Sequence, residues 1–561
     1  MNRFLPLVLV LMISAVCVAP AEAQKKSAPE VNIVLKSGDE LLSDLKFILS
    51  LTEKESQKQW DVIKAILDEI YLIDINKKKP IRIDVISEGN ATYIRSAFPV
   101  SNLNKFRKNT LEPFGIDTRA VRNKRQNNNK KKGPVTLYRC GNLFDGYLRY
   151  LHNYAVLGEK LLHIPRNFPD PTKSIAGLVE KFDLGMRFKN ADKGLDDRKK
   201  WFDEKRQELL AAVKSKDGES TDDYDLRKLI YEQQLEEFGR FYVEASEGTI
   251  GWNTDVQKEE GRLEFDISAI GETSLEKSFD LLGQQPSYFA NIPSSAESIF
   301  SGRFNLPLDD LRKENLLEFA KIMKTRAEKN VDADDGRNAE QKENSKKVVG
   351  LLYDLITKNA KAGLFDGFIE IRLNQSGNKT TVGGFRTEEG TVLVDLLKLI
   401  SESKTGRNAT LDVDKEGEIS IHKLSIPAKD HELLAYFIED DTAYIGTSKE
   451  SVWFAAGEDA LEELKAAIQK VALPNTGNAT DPFVNVSINL KPWIEQRDKR
   501  RGEEGDVKLR QRALKAFKPG EDKLTFEMKR VEKNITGTLT VQQGILRLVG
   551  EMMATFSKET F

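Results

Sequence analysis

Carboxylates at alternate positions make the segment DVDKEGEISIHK, residues 412–423, the first place to look for chemistry. An EF-hand calcium loop has oxygen ligands at positions 1, 3 and 5 and a glycine at position 6. In this segment those positions are Asp412, Asp414, Glu416 and Gly417. Position 12 of such a loop supplies a bidentate glutamate, but here it is Lys423, whose ammonium repels calcium. The flanks alternate apolar and polar residues, so we predict a β-hairpin turning at KEGE and assign no metal site.

A second acidic segment, VDADDGRNAEQKE, lies between two predicted helices, which is the correct context for a calcium loop. Glu343 is twelfth counting from Asp332, but Gly336 arrives at position 5 instead of 6. The loop geometry depends on that glycine. We therefore predict an ordinary connection between helices.

Histidines and cysteines offer no zinc site. The four histidines are His152, His163, His422 and His431, and no two of them have ligand spacing. His422 and His431 flank one predicted loop, where we expect exposed side chains. Cys140 follows the alternating run VTLYRC and is predicted to be a buried structural thiol. No cofactor is predicted.

Patterns for nucleophilic catalysis and phosphate binding are missing from the sequence. No G-x-S-x-G elbow, Walker loop or G-x-G-x-x-G sequence follows a predicted strand. The segment SESKTG, 401–406, combines S-x-x-K with K-T-G, but both elements share Lys404 instead of facing each other across a cleft. The 88 acidic residues are too many for a catalytic carboxylate pair to be selected by sequence.

A basic segment, VRNKRQNNNKKKG at 121–133, is the strongest local concentration of charge. Its cationic residues are Arg122, Lys124, Arg125, Lys130, Lys131 and Lys132. The segment has no apolar period, so we predict a disordered insertion. The alternative is an arm that contacts a polyanion, but the segment has no interleaved aromatic residues, which favours the first interpretation.

Composition and the first residues indicate an exported protein. The chain has 561 residues, 31% charged and 39% hydrophobic, with a net charge of -2 that argues against a global nucleic-acid or membrane-surface interaction. Arg3 and the apolar run 4–18 precede Ala21-Glu22-Ala23, which predicts a signal peptide cleaved after Ala23. No later segment is apolar enough to span a bilayer. We expect a periplasmic or extracellular protein without a transmembrane anchor.

The rest of the sequence has a recurring order of elements. The first unit begins with the strand VNIVL and continues with helices over about 39–50 and 55–71, a hairpin at IRIDVISEGNATYIRSAF and a short helix. Similar strand–helix–helix–hairpin–helix units are predicted over 31–170, 181–290, 301–471 and 482–556. The first and third carry an extra β tail, LRYLHNYAVLG and LAYFIEDDTAYIG. We therefore predict an α+β fold with antiparallel sheets in two tandem halves, 24–295 and 296–561.

This arrangement resembles the large exported proteins of planctomycete bacteria. The resemblance rests on the signal sequence, on hairpins followed by a helix (EEGTVLVDLL and QQGILRLVGEM) and on the DTAYIG tail. It covers most of the mature chain, but its motifs are architectural. It implies the layout and no particular activity.

The sequence therefore favours a non-catalytic binding or scaffolding protein. The alternative is an envelope or extracellular hydrolase whose carboxylates converge from different units. The partner expected from the residues is another envelope protein, or a polyanion bound through 121–133.

Overall fold

The computed structural model describes residues 30–88, 91–121, 136–190, 192–295, 297–373, 377–402, 408–425, 442–475, 477–478, 481–497 and 504–560. These residues form a mixed α+β structure with a large antiparallel sheet, as the sequence predicts at this level.

Twenty strands belong to the sheet in the described residues. They are β1 (Glu30–Leu35), β2 (Ile81–Glu88), β3 (Ala91–Pro99), β4 (Ile116–Ala120), β5 (Leu137–Asn142), β6 (Gly146–Leu151), β7 (Tyr154–Gly158), β8 (Leu184–Lys189), β9 (Ala245–Asp255), β10 (Glu260–Ala269), β11 (Ser298–Pro307), β12 (Leu364–Leu373), β13 (Lys379–Arg386), β14 (Asn408–Glu416), β15 (Ile419–Ser425), β16 (Thr442–Thr447), β17 (Ser451–Gly457), β18 (Val484–Asn489), β19 (Lys523–Val531) and β20 (Asn534–Gln542).

Every pairing between the described strands is antiparallel. The order across the sheet is β4–β5–β6–β7–β3–β2–β1–β8–β9–β10–β20–β19–β18–β11–β12–β13–β17–β16–β15–β14. Strands β10 and β20 are therefore neighbours at the middle of the sheet, although they are far apart in sequence.

The described residues also form sixteen α-helices, of which the last follows β20. They are α1 (Gly38–Ser50), α2 (Lys54–Gln57), α3 (Trp60–Ile66), α4 (Leu103–Phe106), α5 (Pro171–Ser174), α6 (Ala176–Lys181), α7 (Leu195–Ala212), α8 (Thr221–Glu244), α9 (Ser274–Leu281), α10 (Asp310–Ala333), α11 (Ala339–Ala362), α12 (Val392–Glu402), α13 (Ala460–Val471), α14 (Leu490–Arg497), α15 (Glu504–Ala516) and α16 (Gln543–Thr560). Two π-helical turns, Leu67–Tyr71 and Arg107–Leu111, follow α3 and α4.

The hairpins form where alternation and turn residues predict them. In β6–β7, His152 and Asn153 have φ of 53° and 63°, the left-handed pair that a tight two-residue turn requires. Strands β14 and β15 pair around the KEGE turn. In the second β tail, LAYFIED and its following Asp lie outside the described residues, and the remainder forms β16, which pairs with β15 and β17.

The predicted helix over 55–71 is wrong as one element. The structure divides it into α2, α3 and a π-helical turn. The carboxylate of Glu551 in α16 accepts hydrogen bonds from the Glu53 backbone N–H at 3.1 Å and the Ser56 hydroxyl at 2.7 Å. This contact fixes the first turn of α2 against a distant helix, which local periodicity does not reveal.

The two faces of the central strands have different chemistry. On one face of β10 lie Leu263, Phe265 and Ile267, and Phe265 and Ile267 pack in an apolar cluster with Leu275 and Phe279 of α9. The opposite face of β10 carries Glu260, Arg262, Glu264 and Asp266, because alternate side chains point to opposite sides of a strand. We call this second face the polar face.

Apolar segments cover the polar face away from its middle. On one side Ala97 and Val156 are buried beneath Ile164 and Phe168. On the other side Phe368 and Trp453 are buried with Phe289 and with Leu464 of α13. Two hollows lie against β10, β20 and β19, so the middle of the polar face borders space that no described residue fills.

Candidate functional site

A polar cleft lies on the middle of the polar face; we call it the central cleft. Its floor consists of β10, β20 and β19, and it has a volume of about 470 Å³. A second hollow of about 260 Å³ shares Glu260, Glu527, Thr538 and Thr540 with it. The charged and hydroxyl side chains therefore form one continuous recognition surface.

Strand register arranges these side chains in rows. Glu264 of β10, Thr538 of β20 and Glu527 of β19 are direct cross-strand partners. The neighbouring rows are Asp266–Thr536–Lys529 and Arg262–Thr540–Thr525. Since adjacent strands lie about 4.8 Å apart, the two glutamates of the middle row stand roughly 10 Å apart at the backbone. Threonine hydroxyls thus form the centre line of the cleft, with charges on both sides.

Some charges of the cleft are engaged and others are available. Arg262 Nε donates to Glu260 Oε1 at 2.8 Å, and Asn534 Nδ2 donates to Asp266 Oδ1 at 2.8 Å. Within the described part of the chain, Glu264 and Lys529 make no ion pair. The cleft can therefore present an acceptor and a cation to a polar ligand.

A glycine shapes one wall of the central cleft. Helix α6 ends at Lys181, which lines the cleft, and the adjacent Phe182 ring lies over Gly251 of β9. A Cβ on Gly251 would stand 2.1 Å from Cγ of Phe182, so any side chain there would displace the ring. The close approach of strand and ring holds Lys181 at the cleft edge.

A group of three carboxylates lies apart from the cleft, between α1 and the start of β8. Oxygens of Glu40, Asp44 and Asp183 lie within 4.8 Å of one another, as ligands of a cation would. However, Lys36 Nζ already lies 2.9 Å from Glu40 Oε1 and 2.9 Å from Asp183 Oδ1. The lysine ammonium supplies the positive charge that two of the three carboxylates need.

Asp44 is the carboxyl of this group with altered acidity. Burial, followed by repulsion from Asp183 and Glu40, raises its pKa from 3.8 to about 7, and Lys36 opposes the shift. A carboxyl that titrates near neutrality is able to exchange protons at physiological pH. Asp183 is itself buried and accepts a hydrogen bond from the Thr254 backbone N–H at 3.0 Å.

The carboxylates of the calcium-like segment belong to the β14–β15 hairpin. Asp414 Oδ2 lies 2.8 Å from Lys465 Nζ of α13, and Glu416 Oε2 lies 3.9 Å from the same nitrogen. Asp412 has φ of 50° at an irregularity of the register, and its backbone N–H donates to Nδ1 of His422 at 3.0 Å. The structure thus places these acidic groups on a hairpin, where Lys465 of α13 pairs with two of them.

The prediction that His422 is exposed is wrong. Its side chain is fully buried, and its Nε2 lies 2.9 Å from the Thr447 hydroxyl. Burial lowers its pKa, with the carboxylate of Asp412 acting in the opposite direction. Both faces of β15 are covered here, so alternation does not distinguish an inward histidine from an outward one. His431 lies outside the described residues.

Two other predictions concern Cys140 and the acidic connection. Cys140 is a buried thiol, as predicted, and burial raises its pKa to about 11. Residues 334–338 connect α10 to α11, as predicted, and Asn338 caps α11 in a reciprocal hydrogen-bonding arrangement with Gln341. The basic residues Arg122, Lys124, Arg125, Lys130, Lys131 and Lys132 lie outside the described residues.

The residues of the central cleft and the carboxylate group were not selected by sequence reasoning. Alternation in RLEFDISAI and KLTFEMKRV does predict a polar and an apolar face for each strand. It does not indicate that β10 and β20 are neighbours. Asp44 and Asp183 likewise come together only through the pairing of β1 with β8.

Comparison with known proteins gives no relative. No protein family model matches the chain, and neither a curated protein nor a solved structure shows significant similarity to it. Among the described residues, no helix combines the length and the apolar character needed to cross a membrane.

Proposed function

We propose that this chain is an exported, non-catalytic binding or scaffolding protein that holds a polar ligand in the central cleft. The observation that carries the proposal is the middle of the polar face, which no described residue covers and where threonine hydroxyls lie between charged side chains. Such a surface binds through hydrogen bonds and charge complementarity rather than apolar burial. Export is supported by the signal-like sequence that ends at Ala23 and by the resemblance to planctomycete exported proteins.

We infer further that the chain consists of two tandem halves, 24–295 and 296–561. Support comes from strand order, which runs 4-5-6-7-3-2-1-8-9-10 for the first ten strands. Read from the opposite edge of the sheet, the second ten strands run 14-15-16-17-13-12-11-18-19-20. This is the same order with ten added to each number. On this interpretation β10 and β20 are equivalent edge strands, and the cleft lies at the junction of the halves.

Buried carboxylates at matching places add to this support. Asp84 of β2 pairs with Asn32 of β1, and Glu370 of β12 pairs with Ser301 of β11. Both carboxylates are buried and hydrogen-bonded on the polar face: Asp84 by Asn32 at 2.7 Å, and Glu370 by the Ser295 backbone N–H at 2.6 Å. Duplication of one unit accounts for an acid at the same point of the fold in both halves.

A second candidate function is hydrolysis by carboxylates from different units. It is favoured by Glu264 and Glu527, which belong to the second and fourth units and flank Thr538. Inverting glycosidases hold two carboxyl groups roughly 6.5–9.5 Å apart, and side chains on strands roughly 10 Å apart at the backbone can reach that separation. A general acid of that kind needs burial, whereas both glutamates lie on the floor of an open cleft. Binding is therefore the function that the geometry supports better.

The experiment is a pull-down from the native envelope fraction, followed by mass spectrometry. The protein is compared with the double variant Glu264→Lys/Glu527→Lys and with Glu314→Lys/Glu318→Lys, which makes the same change in charge on the exposed side of α10. A partner retained by the control and lost by the cleft variant supports the proposal. A partner profile that is identical for all three proteins, each folded by circular dichroism, contradicts it.

A further inference from the structure

A second cavity, unrelated to the central cleft, lies on the other face of the sheet near β3; we call it the β3 pocket. Its volume is about 430 Å³, within the range of roughly 300–1,000 Å³ typical of small-molecule sites. Five aromatic side chains line it, and they are Tyr71, Phe98, Phe106, Phe114 and Phe144. Among the described residues, five aliphatic side chains and three polar ones complete the lining.

Both π-helical turns of the described residues contribute to this one pocket. Tyr71 is the last residue of the turn Leu67–Tyr71, and Thr110 and Leu111 end the turn Arg107–Leu111. π-helical turns are rare, and they occur frequently at functional sites. Two of them around the same cavity indicate that its shape is the feature they serve.

The pocket is open to solvent at one side. Ile94 and Phe114 are 40% and 43% exposed although both line the cavity. The Phe114 ring lies 6.2 Å from the Tyr71 ring, so the aromatic lining continues to the mouth. Exposed apolar side chains at the entrance of an apolar cavity favour entry of a lipophilic molecule.

The polar groups of the pocket restrict the charge of its ligand. Thr110 Oγ1 donates to the Ile73 carbonyl at 2.9 Å, which leaves its oxygen as an acceptor. Glu159 accepts the Ile94 backbone N–H at 3.2 Å and keeps its second carboxylate oxygen. The pocket therefore offers acceptors and a negative charge, which attract a hydrogen-bond donor and repel an anionic head group.

We propose that the β3 pocket binds an uncharged lipophilic molecule with aromatic rings and one hydrogen-bond donor directed to Glu159. Aromatic walls contribute the contact area, and the carboxylate determines which end of the ligand enters last. This site is independent of ligand binding in the central cleft.

The test uses two fluorescent probes that differ in charge. N-phenyl-1-naphthylamine is neutral, aromatic and has one N–H donor, whereas 8-anilinonaphthalene-1-sulfonate adds a sulfonate to the same skeleton. Titration of the purified protein is expected to show saturable binding of the neutral probe at one site. The sulfonate should bind at least about tenfold more weakly because it faces the Glu159 charge. Glu159→Gln should reduce that difference.

Variants of the protein test whether the probe binds in the β3 pocket. Ser96 lines the cavity on β3, so Ser96→Phe fills it and should abolish binding, whereas Ser215→Phe, in an exposed loop, should leave binding unchanged. Should Ser96→Phe fail to fold, Phe114→Ala at the mouth serves instead, with an expected loss of about two- to tenfold. The proposal is overturned by absent saturation, by binding that survives the folded Ser96→Phe variant, or by equal or tighter binding of the sulfonate. Displacement of the neutral probe by laurate would also contradict it, since that result indicates an acyl-anion site.

Discussion

Replacing Asp44 by asparagine is expected to stabilise the protein at neutral and alkaline pH. The Asp44 carboxyl has its pKa raised from 3.8 to about 7, mainly by burial and then by Asp183 and Glu40. Between pH 3.8 and about pH 7, the Asp44 carboxyl is therefore protonated in the folded state and ionised in the unfolded state. The free energy of unfolding therefore decreases as pH rises from about 4 to about 7. Above pH 7 the whole of the loss that Asp44 causes is present. Asparagine has the same shape and no charge to desolvate.

The magnitude follows from the size of the shift. A change of about three units corresponds to roughly 4 kcal/mol as an upper limit, at about 1.4 kcal/mol per unit. Asp44 is partly exposed and Lys36 lies nearby, so solvent and the ammonium reduce this to about 1–2 kcal/mol. From the two pKa values, about a quarter of this loss in the free energy of unfolding is present at pH 4.5, and nearly all of it is present above pH 7.

Urea unfolding at pH 4.5 and pH 8 measures the effect. Asp44→Asn should unfold at higher urea than the unchanged protein at pH 8, and the gap should narrow at pH 4.5. Asp61→Asn, on the exposed side of α3, is the matched control and should show little change at either pH. An Asp44→Asn variant that is no more stable at pH 8, or a gap that does not vary with pH, would refute the reasoning.

Three further predictions concern other parts of the chain. Calorimetry with millimolar calcium should show no saturable heat that Asp412→Ala removes, because Lys423 occupies the bidentate position and Lys465 already pairs with Asp414; a heat lost in that variant would contradict this. Limited trypsin digestion should cut first between Arg122 and Lys132, leaving stable fragments on both sides, and protection of these bonds would show that the segment is ordered or bound. Arg547→Leu should reduce the free energy of unfolding by about 2–4 kcal/mol, because the buried guanidinium donates to the Leu51 carbonyl at 2.9 Å and pairs with Glu521 at 2.6 Å. Lys558 is exposed on the same helix, so Lys558→Leu should reduce the free energy of unfolding much less. Equal effects of the two substitutions would argue against a stabilising buried pair.

Local structure was predictable where neighbouring residues decide it. The β14–β15 hairpin follows from alternation interrupted by KEGE, and the α10–α11 connection follows from an acidic, glycine-containing break between periodic segments. The burial of Cys140 follows from its place in the alternating run VTLYRC. The hairpin and the connection depend on residues that are neighbours along the chain. For Cys140 the alternation indicates the inward side, whereas residues distant in sequence, such as Leu42 and Leu157, bury it.

The candidate sites were not predictable because distant segments form them. The carboxylate group needs Asp183 beside Asp44, and the β3 pocket needs a π-helical turn where the sequence predicts continuous helix over 55–71. The central cleft needs the pairing of Glu264 with Thr538, which no local pattern specifies. Sequence periodicity identifies the faces of these strands, whereas strand order determines which faces meet.

The pairing of β10 with β20 has a consequence for synthesis of the protein. β10 is complete long before β20, so its hydrogen-bonding edge stays unpaired while the intervening chain is made. At about 5–20 residues per second, this interval is on the order of 15–60 s. During that time β10 is an open sheet edge, of the type that joins other chains. Glu260, Arg262, Glu264 and Asp266 are charged residues of this strand, and charged residues on an open strand disfavour its pairing with other chains. The same residues that form the central cleft can thus act as gatekeepers against aggregation before the cleft exists.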